Sequence, residues 1–236
     1  MAMILGGLQK NSLIDFPGTV ACVAFTSGCN FKCPYCHNPD LAKGAVSHAD
    51  AAISQTQFFD FLEKRKGLLD GVVITGGEPT LQKDLEAFCV AIRQMGYQIK
   101  LDTNGSHPRV VARLLEQQLV DFVAMDIKSN LEGYPSLVKG AFQGEAIMET
   151  VKILMKSAPA YEFRTTCVRP FIDLAIMEDI GGMIKGASHY VLQHCSRNVS
   201  VLNPAFFELE NRFFQDQEIL ALQKAVENYV VKCSIR

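Results

Sequence analysis

Three cysteines, Cys29, Cys33 and Cys36, stand together in a chain of 236 residues that carries eight cysteines in all. Their spacing, Cys-x-x-x-Cys-x-x-Cys, falls in a stretch with Gly28 and Pro34, which favours a loop. A loop can wrap a metal group and aim three thiolates at it; a helix could not easily turn positions i, i+4 and i+7 onto one compact cuboid. Three thiolates are one short of the four ligands of a closed iron–sulfur or tetrahedral zinc site. The open position suits a cofactor or substrate that binds the metal directly. A zinc knuckle completed by His37 or a distant cysteine is the plainer alternative. The remaining cysteines, Cys22, Cys89, Cys167, Cys195 and Cys233, have no short mutual spacing and read as small buried hydrophobes.

Other chemistry-bearing residues recur at the ends of apolar runs. Gly76-Gly77-Glu78-Pro79 can bring main-chain groups close to a zwitterion, or can simply be a tight strand-to-helix connection. Asp102-Thr103-Asn104-Gly105 and Asp126-Ile127-Lys128 place charge where it is costly unless it meets a ligand or another charge. Arg164, in Phe163-Arg164-Thr165-Thr166, stands within a fifth run, and the pair Gln193-His194 ends the sixth. Asp15 precedes Pro17 and Gly18, as a turn-forming aspartate does.

The elements that must position these groups follow from the apolar pattern. Strands are expected at Val20–Thr26, Gly71–Thr75, Gln98–Asp102, Phe122–Met125, Tyr161–Val168 and His189–His194. A helix is expected over Ser54–Leu69, with Ser54 and Gln57 as a capping box. Leu85, Phe88, Cys89 and Ile92 form the stripe of a second helix, stopped by Gly96. Ser106 and Pro108 open a third, with Val111, Leu114 and Leu115 facing inward. Ile147, Val151, Leu154 and Met155 mark a fourth, and Asp173–Lys185 and Asp216–Val230 complete the set. Six strand–helix units in strict alternation predict an α/β fold with parallel strands: a partial (β/α)6 barrel, open on one side, in a single domain over residues 1–236. Three long connections, Ser27–Ile53, Ser129–Glu145 and Cys195–Gln215, each follow a strand. The chemistry is expected there, at the C-terminal edge of the sheet.

Composition narrows the class of function. A net charge of −2 and 20% charged residues give no basic excess for nucleic acid or a membrane surface. No apolar run is long enough to span a bilayer, and the first ten residues lack the pattern of a secretory signal. A cytoplasmic location is expected, with the cysteines serving metal chemistry rather than disulfides.

The cysteine spacing, with Tyr35 before its last member, resembles the radical S-adenosylmethionine (SAM) superfamily. That resemblance implies a [4Fe–4S] cluster on Cys29, Cys33 and Cys36, with SAM chelating the fourth iron. It implies further that Tyr35, Cys36 and His37 lie against SAM, that Gly76, Gly77 and Glu78 meet its amino group, and that Lys128 meets its carboxylate. Arg164 resembles an arginine of related activases. His194 becomes a candidate for the ribose or adenine, and Asp102 and Asp126 for sharing a monovalent cation.

Ser12–Gly18, Gly28–Pro39, Gly71–Gln82, Leu101–Gly105 and Val123–Lys128 together look like the activating enzymes of glycyl radical proteins. Within these, the match is to the branch that serves anaerobic ribonucleoside-triphosphate reductase. The resemblance implies such a reductase as partner, flavodoxin or ferredoxin as electron donor, and Asp15 as a catalytic residue orienting the target loop. Only about 40 residues separate Cys36 from Gly76 and they hold no further cysteine, so no ferredoxin-like insert is expected. A radical SAM enzyme acting on a small heterocycle, and a non-catalytic metal-binding module, remain as alternatives.

Overall fold

A computed structural model describes residues 3, 5–44, 52–197, 199–208 and 211–236. Its core is one eight-stranded sheet in which the strands neighbour one another in sequence order. The strands are β1 (Leu5–Ser12), β2 (Ala21–Thr26), β3 (Gly71–Gly76), β4 (Gln98–Thr103), β5 (Phe122–Asp126), β6 (Tyr161–Cys167), β7 (Tyr190–His194) and β8 (Cys233–Ile235). The pairings from β2 through β8 are parallel, and β1 lies antiparallel on β2. β1 and β8 are edges, so the sheet stays open, as the expected partial barrel requires.

The helices are α1 (Pro39–Lys43), α2 (Gln55–Glu63), α3 (Leu85–Gln94), α4 (Pro108–Glu116), α5 (Gly144–Ser157), α6 (Leu174–Met183) and α7 (Asp216–Val226). Each of β2 to β7 is followed by at least one of them. The alternation of strand side chains sorts the sheet into two faces. Cys22, Ala24, Val72, Ile74, Ile99, Leu101, Val123 and Met125 join the helix stripes in the main core, with Leu85, Phe88, Ile92, Leu114, Val151 and Leu154. The other face is apolar only near the strand starts, where Phe16, Ala21, Val23 and Val73 form a small second cluster. Toward the strand ends that inner face turns polar. Four of the five scattered cysteines are buried, Cys233 partly so, and none is in a disulfide.

Local signals account for most helix starts. Ser54 accepts from Gln57 N at 3.2 Å while its own N–H donates to Gln57 Oε1 at 2.9 Å, closing the expected capping box. Asp173 accepts from Ile176 N at 2.8 Å. Gly96 adopts φ +91° just past α3. The start of α4 differs from expectation: His107 is its N-cap, and Ser106 instead bonds Asn104 and Asn30. α2 and α7 also stop short of the expected Leu69 and Val230.

Two strands escaped the sequence pattern. β1 (Leu-Gly-Gly-Leu-Gln-Lys-Asn-Ser) has glycines and a polar end where alternation should show, because an edge strand needs little apolar surface. β8 has only three residues. The expected bounds of the first long connection, Ser27–Ile53, include residues 45–51, which lie outside the described residues. The parts that are described carry short helical turns: α1 after β2, Tyr134–Ser136 after β5, and Pro204–Phe207 after β7.

Candidate active site

All three long loops meet over the C-terminal edge of the sheet. Lys32 N donates to Leu137 O at 2.7 Å and Lys139 N to Asn30 O at 2.8 Å, tying the cysteine loop to the loop after β5. Leu202 N donates to Cys36 O at 3.2 Å and Asn203 N to Pro34 O at 3.0 Å, tying it to the loop after β7. Lys139 Nζ adds bonds to Cys29 O (2.9 Å) and Ala42 O (3.1 Å). The loop's shape is therefore imposed from both sides. Beneath it lies a cavity of about 390 Å³ bordered by Cys29, Cys33, Tyr35, Cys36 and His37.

The cysteine side chains share this cavity without crowding. Among the described residues, no three His, Cys, Asp or Glu side chains are gathered as for a single metal ion. A four-iron cube takes each thiolate on a different iron and so spaces its ligands more widely than one tetrahedral ion does. Burial pushes the Cys33 thiol up to about 12, against the pull of Lys128, and raises Cys29. Buried thiols of this kind ionise only beside a cation such as iron. Burial also lowers the pKa of His37, and Lys128 lowers it further. Two buried hydroxyls, Ser27 Oγ and Tyr35 Oη, are the only buried side-chain polar atoms among the described residues without a partner. Both lie in the cysteine loop. The donor set, the raised thiol pKa values and the orphaned Tyr35 hydroxyl fit a sulfur-rich group held at this place.

The Gly76–Pro79 turn packs directly on that loop. Gly77 N donates to Thr26 O at 2.9 Å and Glu78 N to Gly28 O at 2.8 Å. A Cβ on Gly77 would come within 2.1 Å of Gly28 O, so only glycine permits the approach. The glycines thus serve backbone-to-backbone contact with the cysteine loop, in addition to bordering the cavity. Glu78 is 1% exposed, and its carboxylate accepts from Thr80 N (3.1 Å), Thr103 Oγ1 (2.7 Å), Asn104 N (2.7 Å) and the Thr80 hydroxyl. Burial raises its pKa, and these bonds oppose the rise. The Glu78 side chain thus latches the turn after β3 to the end of β4.

A ladder of alternating charge crosses the inner face. Lys100 Nζ bonds Asp102 Oδ1, and Arg164 Nη1 reaches Asp102 Oδ2 at 3.2 Å. Arg164 Nε donates to Asp126 Oδ1 at 2.8 Å, and Lys128 Nζ to Asp126 Oδ2 at 2.8 Å. Asp126 and Arg164 are paired across β5 and β6, and strand alternation turns residues 100, 102, 126 and 164 to the same side. Burial alone would raise both carboxyls. Arg164 outweighs it, with Lys100 beside Asp102 and Lys128 beside Asp126, so both lie below the usual carboxylate range. Lys128 and Arg164 are raised in turn, Lys128 mainly by Asp126 against its burial. The cation that Asp102 and Asp126 share in this arrangement is the guanidinium of Arg164.

Thirteen of the fourteen expected site residues border this one cavity: Asp15, Cys29, Cys33, Tyr35, Cys36, His37, Gly76, Gly77, Glu78, Asp102, Asp126, Lys128 and Arg164. His194 does not. It is exposed beside Asp216, and the alternation of β7 turns Gln193 inward in its place. Asp15 borders the cavity from its opposite end. It follows Ser12, which pairs with Ala21 at the start of β2, whereas Cys29 follows the end of that strand. At about 3.3 Å per residue the two ends of β2 are roughly 17 Å apart. The Asp15 carboxylate also accepts from the Ser12 hydroxyl, so from there it reaches the floor of the cavity and not the cysteines. Lys100 was missed, and Asn104, Thr166 and Gln193, although they stand in the segments singled out above, were not assigned to the site. For Thr166 and Gln193 the signal was available as period-two alternation from Arg164 and Val191.

Three thiols over a charged cavity, at the C-terminal edge of an open and mainly parallel α/β sheet, suit an enzyme that holds a metal group and a small charged cofactor. The pattern of the radical SAM superfamily matches residues 23–170, and the chain belongs to that superfamily, among its glycyl-radical enzyme activating enzymes. A candidate glycyl-radical enzyme activating enzyme of Methanocaldococcus jannaschii is 36% identical over 201 residues, 82% of this chain and 80% of the relative. The pyruvate formate-lyase-activating enzyme of Staphylococcus aureus is 30% identical over 134 residues, 52% of each chain. The fold is similar to that of Streptococcus suis SuiB bound to its precursor peptide SuiA (TM-score 0.65, 12% identity, 91% of this chain and 48% of that one). Membership implies a [4Fe–4S] cluster and SAM. No helix among the described residues is long and apolar enough to cross a membrane.

Proposed function

We propose that this activase takes a hydrogen atom from a glycine Cα of an anaerobic ribonucleoside-triphosphate reductase, drawing its electron from flavodoxin or ferredoxin. The observation that carries the reading is the cavity's outline: it runs from the cysteine loop to Val23, Phe25 and Asp15, beside the β1 edge of an open sheet. A polypeptide loop needs such a lateral way in, because a glycine Cα must come within van der Waals reach of the reacting carbon.

When bound, the cluster and SAM together supply the carbon radical that accepts the hydrogen. The residues of the chain hold and orient. Cys29, Cys33 and Cys36 take the cluster, and the main chain of Gly76–Glu78 faces the amino group of SAM. Lys128, now bonded to Asp126, would hold the SAM carboxylate, while Arg164 would keep Asp102 and Asp126 ionised. Tyr35, His37 and Gln193 border the remainder of SAM. With Lys100 and Arg164 already on the two carboxylates, a further monovalent cation has little charge left to bind.

The test is electron paramagnetic resonance after anaerobic mixing of the reduced, SAM-loaded enzyme with the reductase of its own organism. A glycyl doublet should appear, with one 5′-deoxyadenosine per radical. A doublet only with a different glycyl radical enzyme would change the partner. No doublet with any of them, alongside turnover of a small heterocycle, would overturn the reading.

A further inference from the structure

We propose that His107 is a positioning residue for SAM binding. It carries its ring proton on Nδ1 and donates it to the hydroxyls of Thr80 and Ser106, which commits the Thr80 proton to Glu78. That role rests on the placement of SAM's amino group at the main chain of Gly76–Glu78. His107 stands at the head of α4, where its side chain makes no cap hydrogen bond. Its Nδ1 lies 3.2 Å from Thr80 Oγ1 and 2.9 Å from Ser106 Oγ. Thr80 directly follows the Gly-Gly-Glu-Pro turn, and Ser106 lies just past the end of β4. His107 itself borders a separate cavity of about 150 Å³, not the one the cysteines border, so it acts on SAM only through Glu78.

The protons around the ring can be placed one by one. Ser106 N, a main-chain donor, bonds Asn104 Oδ1 at 3.0 Å, which leaves the Asn104 amide nitrogen to donate to Asn30 Oδ1 at 2.8 Å. The Asn30 amide is fixed in turn, and its Nδ2 donates to Ser106 Oγ at 2.9 Å. The Ser106 hydroxyl then gives its one proton to Asn104 Oδ1, at 2.6 Å the shortest of its bonds. The Thr80 hydroxyl gives its one proton to Glu78 Oε1 at 2.5 Å, since a carboxylate is a stronger acceptor than a ring nitrogen. Neither hydroxyl has a proton left for His107, so the proton between them belongs to Nδ1. That proton joins three connections: the turn after β3, the loop after β4 and, through Asn30, the cysteine loop. Without it both hydroxyl oxygens lose a donor, and Thr80 and Asn104 are too buried for water to replace it. Thr80 can then turn from Glu78, whose burial already works against its charge.

The experiment is calorimetric titration of SAM into the reconstituted wild type and its His107→Ala, His107→Asn and His107→Asp variants. A wild type that holds its cluster and does not bind SAM would sink the reading of the SAM site itself, and is seen first. Asparagine puts an amide donor where Nδ1 stands, whereas ionised aspartate puts only acceptors there. Both residues cap a helix about equally well, so capping cannot separate them. His107→Ala should bind SAM about fivefold more weakly, the scale of one lost hydrogen bond. His107→Asn should return close to the wild-type affinity, and His107→Asp should bind more weakly than His107→Ala. Long-range proton–nitrogen resonance spectra of the histidine-labelled wild type should show the His107 proton on Nδ1, with any one of the variants serving to assign the signal. That measurement decides the matter even if the variants fold poorly. An unchanged affinity in His107→Ala, equal affinities in His107→Asn and His107→Asp, or a ring protonated on Nε2 alone would each overturn the proposal.

Discussion

The cavity has one wall of alternating charge, Asp102, Arg164, Asp126 and Lys128 with Lys100 buried behind Asp102, and another of thiols and aromatic rings around Cys29, Cys33 and Cys36. In the charged wall both oxygens of each carboxylate carry a cationic donor. In the thiol wall the Tyr35 hydroxyl has no partner, and burial holds Cys29 and Cys33 in the neutral form. The first wall is electrostatically complete within the chain; the second leaves its thiols without a cationic partner bonded to them. Replacements should therefore act differently on the two sides, through stability on one and through occupancy on the other.

The largest effect belongs to the thiol wall. Cys29→Ala, Cys33→Ala and Cys36→Ala should each lose essentially all cluster iron, while Cys22→Ala, Cys89→Ala and Cys233→Ala keep it. Iron analysis with a visible spectrum after anaerobic reconstitution checks this. Equal loss in both groups would erase the distinction between the walls.

Arg164→Met strikes the charged wall. It leaves Asp102 and Asp126 buried with half their partners gone, and should cost about 3–5 kcal/mol in chemical denaturation. Cluster binding should survive wherever the variant folds. The pH dependence follows from the same ladder. Both carboxyls have folded pKa values below their unfolded ones. Their stabilisation is therefore complete above the unfolded value of about 4 and is lost as the pH falls below it. The wild type should lose stability on acidification through that range, and Arg164→Met should lose distinctly less. Parallel curves would show that the ladder contributes nothing through ionisation.

Lys128 tests where the walls meet, since its ammonium acts on Cys33 and also bonds Asp126. Lys128→Ala should weaken SAM binding by about 1.5–3 kcal/mol, the scale of a charge-assisted hydrogen bond, while the cluster is retained. Isothermal titration with the reconstituted protein would expose an unchanged dissociation constant and return Lys128 to a structural role.

The smallest effect separates two neighbours on β7. Gln193→Ala should weaken SAM binding by about 1 kcal/mol, and His194→Ala should leave both binding and stability within about 0.5 kcal/mol. The reverse result would mean that the strand's inward face had been assigned a residue out of step.

Much of this was legible before any coordinates. The cysteine spacing is a local property, because a short loop can hold three thiolates only at intervals the chain itself sets, so Cys29, Cys33 and Cys36 could be read directly. The alternation of six apolar runs with amphipathic stripes was equally plain, since a parallel strand covered on both faces is apolar throughout. Even the clustering of Asp102, Asp126 and Lys128 followed from their common position at strand ends, with Arg164 on the next strand beside Asp126.

Tertiary structure alone decided the finer points. Edge strands β1 and β8 bury too little to leave a pattern. The choice of Gln193 over His194 depends on strand phase, where a shift of one residue reverses every side chain. Asp15 is near Cys29 in sequence but a strand's length away, because the antiparallel return of β1 carries it to the other end of the sheet. Glycine at position 77 is required by a carbonyl on the neighbouring loop, and the solitude of the Tyr35 hydroxyl by two phenylalanines more than a hundred residues away. Spacing along the chain determines which groups can act together; packing determines which way each one points and what it finds there.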